Sequence, residues 1–133
     1  MQALILSAGL GIRLKPLTDS LPKVMLPIGD RPLLEHHLEQ FKKHGVKEFL
    51  INLHHLPEKI TEYFGDGSKF GVKIIYKYEP KILGTAGAIK NFENEIKEDF
   101  FVIYGDVFSL INYSKLYEYY RKNSPCVGVE LVG

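Results

Sequence analysis

The hydrophobic pattern of this chain switches repeatedly between two kinds, and this alternation constrains the fold more than any other feature of the sequence. Short apolar runs, typical of strands buried on both faces, occupy residues 4–6, 49–53, 72–76, 100–104 and 127–131. Apolar residues at helical spacing predict helices between these runs, within 33–41, 57–64, 86–92 and 113–120. This alternation predicts an α/β fold, a Rossmann-like three-layer sandwich in which helices cover both faces of a mostly parallel sheet.

The composition is that of an ordinary globular domain and argues against several other classes of protein. The chain has 133 residues, a net charge of +1 and 45% apolar residues, which excludes disorder as its main state. No apolar run approaches the roughly 18 residues of a membrane span, and no secretory signal is visible. The single cysteine excludes an internal disulfide, and 17 basic against 16 acidic residues argue against nucleic-acid binding by bulk charge. We therefore expect one cytoplasmic domain over residues 1–133, with no nucleic-acid or membrane partner.

The segment from residue 7 to residue 29, called here the first loop, has no clear helix or strand pattern and is unusually long for a compact domain. It follows the first predicted strand, and ligands of parallel sheets bind at the carboxyl ends of the strands. Its glycines allow the backbone to approach a ligand closely, so that successive amides can cradle an anion. Its cations Arg13, Lys15 and Lys23 outnumber its one acidic residue, Asp19. The first loop therefore suits a bound phosphate.

Two common phosphate-binding motifs do not fit the first loop. Leu14 stands where the dinucleotide fingerprint requires its third glycine, and the Gly-Lys-Ser/Thr of a P-loop is absent. Gly9 and Gly11 alone are as compatible with a plain strand-to-loop turn as with a phosphate site.

Five motifs that follow one another along the chain indicate the type of site more specifically than Gly9 or Gly11 alone. The motifs are Leu6-Ser7-Ala8-Gly9-Leu10-Gly11-Ile12-Arg13-Leu14, Pro16-Leu17-Thr18, Pro22-Lys23-Val24-Met25-Leu26-Pro27, Glu79-Pro80-Lys81-Ile82-Leu83-Gly84-Thr85-Ala86-Gly87-Ala88 and Gly105-Asp106-Val107. In this order they resemble the sugar-1-phosphate nucleotidylyltransferases, also called NDP-sugar pyrophosphorylases. The fourth motif resembles mannose-1-phosphate guanylyltransferases and glucose-1-phosphate nucleotidyltransferase-like enzymes more than thymidylyltransferases. The resemblance implies the nucleotide-diphospho-sugar transferase fold, with a nucleoside triphosphate and a sugar-1-phosphate as substrates and an NDP-sugar and pyrophosphate as products.

The resemblance also implies roles for individual residues. Arg13 would hold the triphosphate and stabilise charge on the leaving pyrophosphate, and Lys23 would contact the α-phosphate and the attacking phosphate. Asp106 would bind Mg²⁺ together with phosphate oxygens and waters, so that these three residues are the candidate catalytic residues. The candidate nucleotide-binding residues are Ala8, Gly9, Gly11, Arg13, Lys23, Glu79, Gly84 and Gly87.

Plainer roles stay open for the same residues when each is considered alone. Arg13 and Lys23 are then surface cations, Asp106 is a turn or helix-capping residue, and Glu79 faces solvent. The neighbouring pairs of histidines lack the spacing of a metal site, and we expect no chemistry from them; they are His36, His37, His54 and His55.

Members of the family that this chain resembles are longer, and the additional part supplies a sugar-contacting glutamate and lysine and a second metal-binding aspartate. We therefore expect an incomplete domain, with an exposed sheet edge that favours self-association into a homo-oligomer. Three alternatives to the enzyme stay open. They are a non-catalytic nucleotide-binding or regulatory domain, a structural assembly module, and cytidylyl transfer to a phosphorylated alcohol such as phosphocholine.

Overall fold

The computed structural model of the protein describes residues 1–108 and 110–123. The strand predicted over residues 127–131 lies outside the described residues. The elements, in chain order, are the strand β1 (Gln2–Leu6), the short strands β2 (Pro27–Ile28) and β3 (Arg31–Pro32), the helix α1 (Leu33–Lys43), the strand β4 (Glu48–Leu53), the helix α2 (Pro57–Phe64), the strand β5 (Lys73–Tyr78), the helix α3 (Gly84–Asn91), the strand β6 (Phe100–Tyr104) and the helix α4 (Tyr113–Asn123).

Four of the strands form a parallel sheet in the order β5-β4-β1-β6. The two central strands, β1 and β4, are the most buried, because a central strand of a parallel sheet has both faces covered. Within β1 and β4, for example, Leu4 and Leu50 are fully buried. The predicted strands at residues 4–6, 49–53 and 100–104 are confirmed within one or two residues, and the run 72–76 marks most of β5.

Two hydrophobic clusters lie on opposite faces of this sheet. The larger cluster packs α1, α2 and α4 against one face, through residues such as Phe41, Phe64 and Tyr113. The smaller cluster packs the end of α3 and the turn after it against the other face, around Phe92. The three-layer α/β prediction is therefore confirmed.

The strand order places the centre of the sheet at β1. From β1 the chain runs outward to β4 and β5, and it then crosses back to add β6 on the other side of β1. The order thus reverses between β1 and β6, and the carboxyl ends of the strands at such a reversal border the crevice where open α/β sheets bind ligands.

The first loop is more ordered than its sequence pattern predicts. It contains three single 3₁₀ turns, Ile12–Leu14, Leu17–Asp19 and Lys23–Met25, and it ends in the hairpin of β2 and β3. Buried Val24 and Met25 fix the third turn to the core. Within the part of the chain that the structure describes, no helix has the length and apolar character needed to cross a membrane.

Candidate active site

One cavity lies at the carboxyl ends of the four parallel strands and gathers most of the residues predicted for the site. Seven of the nine predicted site residues line it, and these are Ala8, Gly9, Gly11, Lys23, Glu79, Gly84 and Asp106. The other two, Arg13 and Gly87, do not line it. The cavity therefore joins the first loop, the start of α3 and the turn after β6.

Lys23 and Asp106 meet at this cavity although 83 positions separate them in the chain. The Nζ atom of Lys23 donates to Oδ2 of Asp106 over 2.7 Å. The side chains are 31% and 38% exposed, so both charges remain accessible to a ligand from solvent. The arrangement offers a mobile cation and a hard carboxylate side by side, which suits a phosphate with a divalent cation.

The turn that carries Asp106 is tightly held. The Gly105 amide donates to the Leu6 carbonyl over 2.9 Å, and the Val107 amide donates to the Tyr104 carbonyl over 3.2 Å. A Cβ atom on Gly105 would lie 2.9 Å from a methyl group of Val24 and 3.0 Å from the Leu6 carbonyl oxygen. Glycine is therefore required here by the close approach of β1 and the first loop.

The beginning of the first loop depends on a left-handed glycine. Gly11 has a φ of +65°, and a Cβ there would lie 2.6 Å from Cγ2 of Thr18. The buried Thr18 hydroxyl donates to the Gly11 carbonyl over 2.8 Å, which ties the first 3₁₀ turn to the second. His55 Nε2 in turn donates to the Thr18 carbonyl over 2.6 Å. These contacts fix the shape of the beginning of the first loop, which contains no α-helix or β-strand.

A buried polar network connects the first loop to the segment before α3. The Asn52 side chain accepts from the Ser7 amide over 2.6 Å and donates to one oxygen of Glu79 over 3.0 Å. The other Glu79 oxygen accepts from the Leu83 amide over 3.1 Å. Glu79 is only 1% exposed, so the alternative that this residue faces solvent is wrong. Buried carboxylates need such partners, because burial of an unpaired one is costly.

Sequence reasoning missed Asn52. A polar residue stands there within the apolar run 49–53, and this break in the pattern is the signal that could have marked it. His54 was also assigned no role, yet its Nδ1 atom donates to the backbone carbonyl of Glu79 over 2.7 Å. The histidine pairs thus include residues that hold the loops around the cavity.

The start of α3 lies across the cavity from Asp106. Thr85 Oγ1 and the Tyr104 hydroxyl, both lining residues, are 3.1 Å apart and share a hydrogen bond. A Cβ on Gly87 would lie 2.7 Å from Cβ of Leu83, so Gly87 allows close packing at the start of α3. Its predicted contact with a nucleotide stays a prediction.

Arg13 lies outside the cavity lining. It belongs to the exposed first 3₁₀ turn, two residues beyond the lining Gly11, and it makes no ion pair with any residue that the structure describes. The structure thus places Arg13 on the surface near the cavity, and its predicted contact with a triphosphate stays a prediction.

The side chains at the cavity could hold Mg²⁺ only together with the phosphate oxygens of a bound substrate. Among residues 1–108 and 110–123, no group of three or more His, Cys, Asp or Glu side chains could hold a metal ion. Of the described residues that line the cavity, only Asp106 supplies an accessible carboxylate, since Glu79 is buried. Mg²⁺ is commonly bound by one or two carboxylates, with substrate phosphates and waters as the remaining ligands, so one carboxylate is consistent with it.

Comparison with known proteins identifies the family. The family model for nucleotidyl transferases matches residues 2–132. The chain belongs to this family. The resemblance inferred from the ordered motifs is thereby confirmed.

Individual nucleotidyl transferases give a consistent picture. The chain is 46% identical over 116 residues to a D-glycero-alpha-D-manno-heptose 1-phosphate guanylyltransferase of Campylobacter jejuni, covering 87% of this chain and 52% of the relative. It is 35% identical over 133 residues to a mannose-1-phosphate guanylyltransferase of Mycobacterium tuberculosis, covering 99% of this chain and 37% of the relative. The structure matches HddC from Yersinia pseudotuberculosis complexed with GMP-PN, with a TM-score of 0.79, 32% identity, and coverage of 90% and 53%. The chain thus spans about half, or less, of the length of these relatives.

Proposed function

We propose that this chain forms the nucleotide-binding part of an enzyme that joins a nucleoside triphosphate to a sugar-1-phosphate, giving an NDP-sugar and pyrophosphate. The observation that carries the proposal is the contact between Lys23 and Asp106 at the mouth of a cavity bordered by the glycines of the first loop. Relatives whose names state sugar-1-phosphate nucleotidyl transfer support it.

The reaction requires two anions to meet in line. An oxygen of the sugar-1-phosphate attacks the α-phosphorus, a new phosphorus–oxygen bond forms, and the bond between the α-phosphorus and the bridging oxygen of the β-phosphate breaks. The electron pair of that bond leaves with pyrophosphate. Positioning and charge neutralisation therefore contribute more than covalent help from the protein.

The cations of the first loop would supply that neutralisation. Lys23 leaves Asp106 for the α-phosphate and the attacking phosphate, because its ammonium group is mobile and partly exposed. Arg13 holds the outer phosphates beyond the mouth of the cavity, where its planar guanidinium can bind two oxygens at once. The amides near Gly9 and Gly11 contact phosphate oxygens.

Asp106 would hold Mg²⁺ together with substrate phosphates and waters, and the bound ion would offset part of the negative charge of the phosphates. Glu79 and Gly84 border the part of the cavity that would hold the base and ribose, and Gly87 lies on the helix α3 that begins at Gly84. We propose a cytoplasmic enzyme that self-associates and has no nucleic-acid or membrane partner.

Pyrophosphate release by the full-length protein tests the proposal. Each of GTP, UTP, ATP, CTP and dTTP is paired with mannose-, glucose- and heptose-1-phosphate and with phosphocholine, and GTP is tried first because two relatives are named guanylyltransferases. Turnover of at least one pair, lost in Asp106→Asn, is expected. Nucleotide binding by calorimetry without turnover would instead indicate a non-catalytic nucleotide-binding domain. CTP turnover with phosphocholine alone would indicate the alternative acceptor, and absence of both binding and turnover would contradict the proposal.

A further inference from the structure

We propose that His37 is a positioning residue for the Asp106 carboxylate, acting through the backbone of the turn that carries it. The inference rests on the proposed function, because it concerns the metal role of Asp106. His37 lies on α1, and its Nε2 atom is 3.0 Å from the carbonyl oxygen of Gly105. A carbonyl only accepts hydrogen bonds, so the Nε2–H group of the imidazole donates to it.

Gly105, the residue before Asp106, is thereby held from two sides. The Gly105 amide donates to β1, and the Gly105 carbonyl accepts from α1 through His37. The residue immediately before Asp106 is therefore fixed both to the sheet and to the helix α1.

The helix that carries His37 cannot easily move. Leu34, Leu38 and Phe41 on the same helix are fully buried, and the Phe41 ring stacks on Tyr113 of α4 with 3.8 Å between centroids. The imidazole itself is 2% exposed, and burial lowers its pKa below 6.5, so it is neutral near pH 7. His37 thus connects the turn that carries Asp106 to a firmly packed helix.

A core residue that only fills space would not need this hydrogen bond. Leucine or methionine could occupy a similar volume, but either would leave the Gly105 carbonyl without its donor. Residues that orient a metal ligand from behind commonly affect metal affinity without touching the metal. The geometry therefore distinguishes His37 from its neighbour His36, whose Nε2 donates to the Ile28 carbonyl on the exposed side of the helix.

Metal affinity, measured apart from turnover, tests the inference. Mn²⁺ is titrated into the full-length protein saturated with a non-hydrolysable GTP analogue, and free Mn²⁺ is followed by electron paramagnetic resonance against a blank without protein. His37→Leu is expected to weaken Mn²⁺ binding about tenfold, whereas His37→Gln, whose amide can reach the same carbonyl, retains most of it. Asp106→Asn is the reference for loss of the ligand, and His36→Gln is the matched control with unchanged binding.

The outcomes separate this inference from the proposed function. If Asp106→Asn loses Mn²⁺ but His37→Leu binds it like the wild type, His37 is only structural and the inference is wrong. If Asp106→Asn binds Mn²⁺ as tightly as the wild type, the proposed metal role is wrong and the inference fails with it. Should His37→Leu not fold, His37→Asn replaces it, since its shorter amide falls short of Gly105; equal Mn²⁺ affinity of the Asn and Gln variants would then overturn the inference.

Discussion

At the scale of single residues, the cavity is organised by groups that meet only in the folded chain. Lys23 and Asp106 form an ion pair across 83 positions, and both remain partly exposed. Such a pair contributes only about 0–1 kcal/mol to stability, because solvent screens it. Its importance therefore lies in what the two charges can bind, and a substitution should affect activity far more than folding.

Lys23→Met tests this distinction. Because it removes a charge aimed at the reacting phosphates, we expect kcat to fall by about a hundredfold or more. The free energy of unfolding should change by less than about 1 kcal/mol. Lys59→Met, an exposed lysine on α2, serves as the control with unchanged kcat. A pyrophosphate-release assay and urea unfolding measure the two effects, and equal kcat in both variants would contradict the role of Lys23.

Asn52→Ala tests the buried network. The substitution leaves the Ser7 amide and one Glu79 oxygen without their partner, and both are buried. We expect a loss of about 2–3 kcal/mol in the free energy of unfolding. Asn94→Ala, at an exposed position, should change it by no more than about 0.5 kcal/mol. Similar stability of the two variants in urea would mean that the network does not hold the loops together.

The titration of His37 predicts a pH dependence of stability. Burial lowers its folded-state pKa below 6.5, so on acidification the unfolded chain takes up a proton before the folded protein does. Stability is thus lost as the pH falls below about 6.5, until it reaches the lowered folded value. The wild type should lose more unfolding free energy than His37→Gln between pH 8 and 5, where the variant lacks this one titrating group. A constant difference between the two proteins across that range would contradict the lowered pKa.

At the scale of elements, the sequence predicts the strands of the parallel sheet well and the loops poorly. The apolar run 100–104 coincides with β6. The run 72–76 ends before the end of β5, which extends to Tyr78, because the last residues of this edge strand do not continue the apolar pattern. The three 3₁₀ turns of the first loop are fixed by contacts such as that of Thr18 with Gly11. A local pattern does not record which distant side chain will occupy a given space, so these turns could not be predicted from the sequence.

Substitutions at two glycines of the first loop test the shape of the loop and its approach to the ligand separately. Gly11→Ala places a Cβ at positive φ, 2.6 Å from Thr18, so we expect a loss of about 1–3 kcal/mol in stability. Gly9→Ala meets no atom within 4 Å and should fold with nearly unchanged stability. Its added methyl group lines the cavity, so nucleotide affinity measured by calorimetry should fall in Gly9→Ala. Equal thermal midpoints for the two variants would contradict the proposed loop geometry.

At the scale of the whole molecule, the position of the site follows from the strand order. The order β5-β4-β1-β6 brings the segments after all four strands to one edge, so the edge itself was predictable from the alternation of strands and helices. The resemblance to the nucleotidyl transferase family supplied residues that now line one cavity. The sequence did not predict the residues that support this cavity lining from behind. Asn52 connects β4 to the first loop, and His37 connects α1 to the turn after β6. Those contacts depend on three-dimensional packing, and each residue alone resembles an ordinary polar or core residue.

The central claim is that the first loop, Lys23 and Asp106 bind one triphosphate together. A crystal structure of the full-length protein with a non-hydrolysable GTP analogue and Mn²⁺ tests this claim most directly, with an anomalous difference map that locates the manganese. The account predicts phosphates against the amides near Gly9 and Gly11, Lys23 on the α-phosphate, and manganese on Asp106. Phosphates bound away from this cavity, or manganese bound without Asp106, would contradict it.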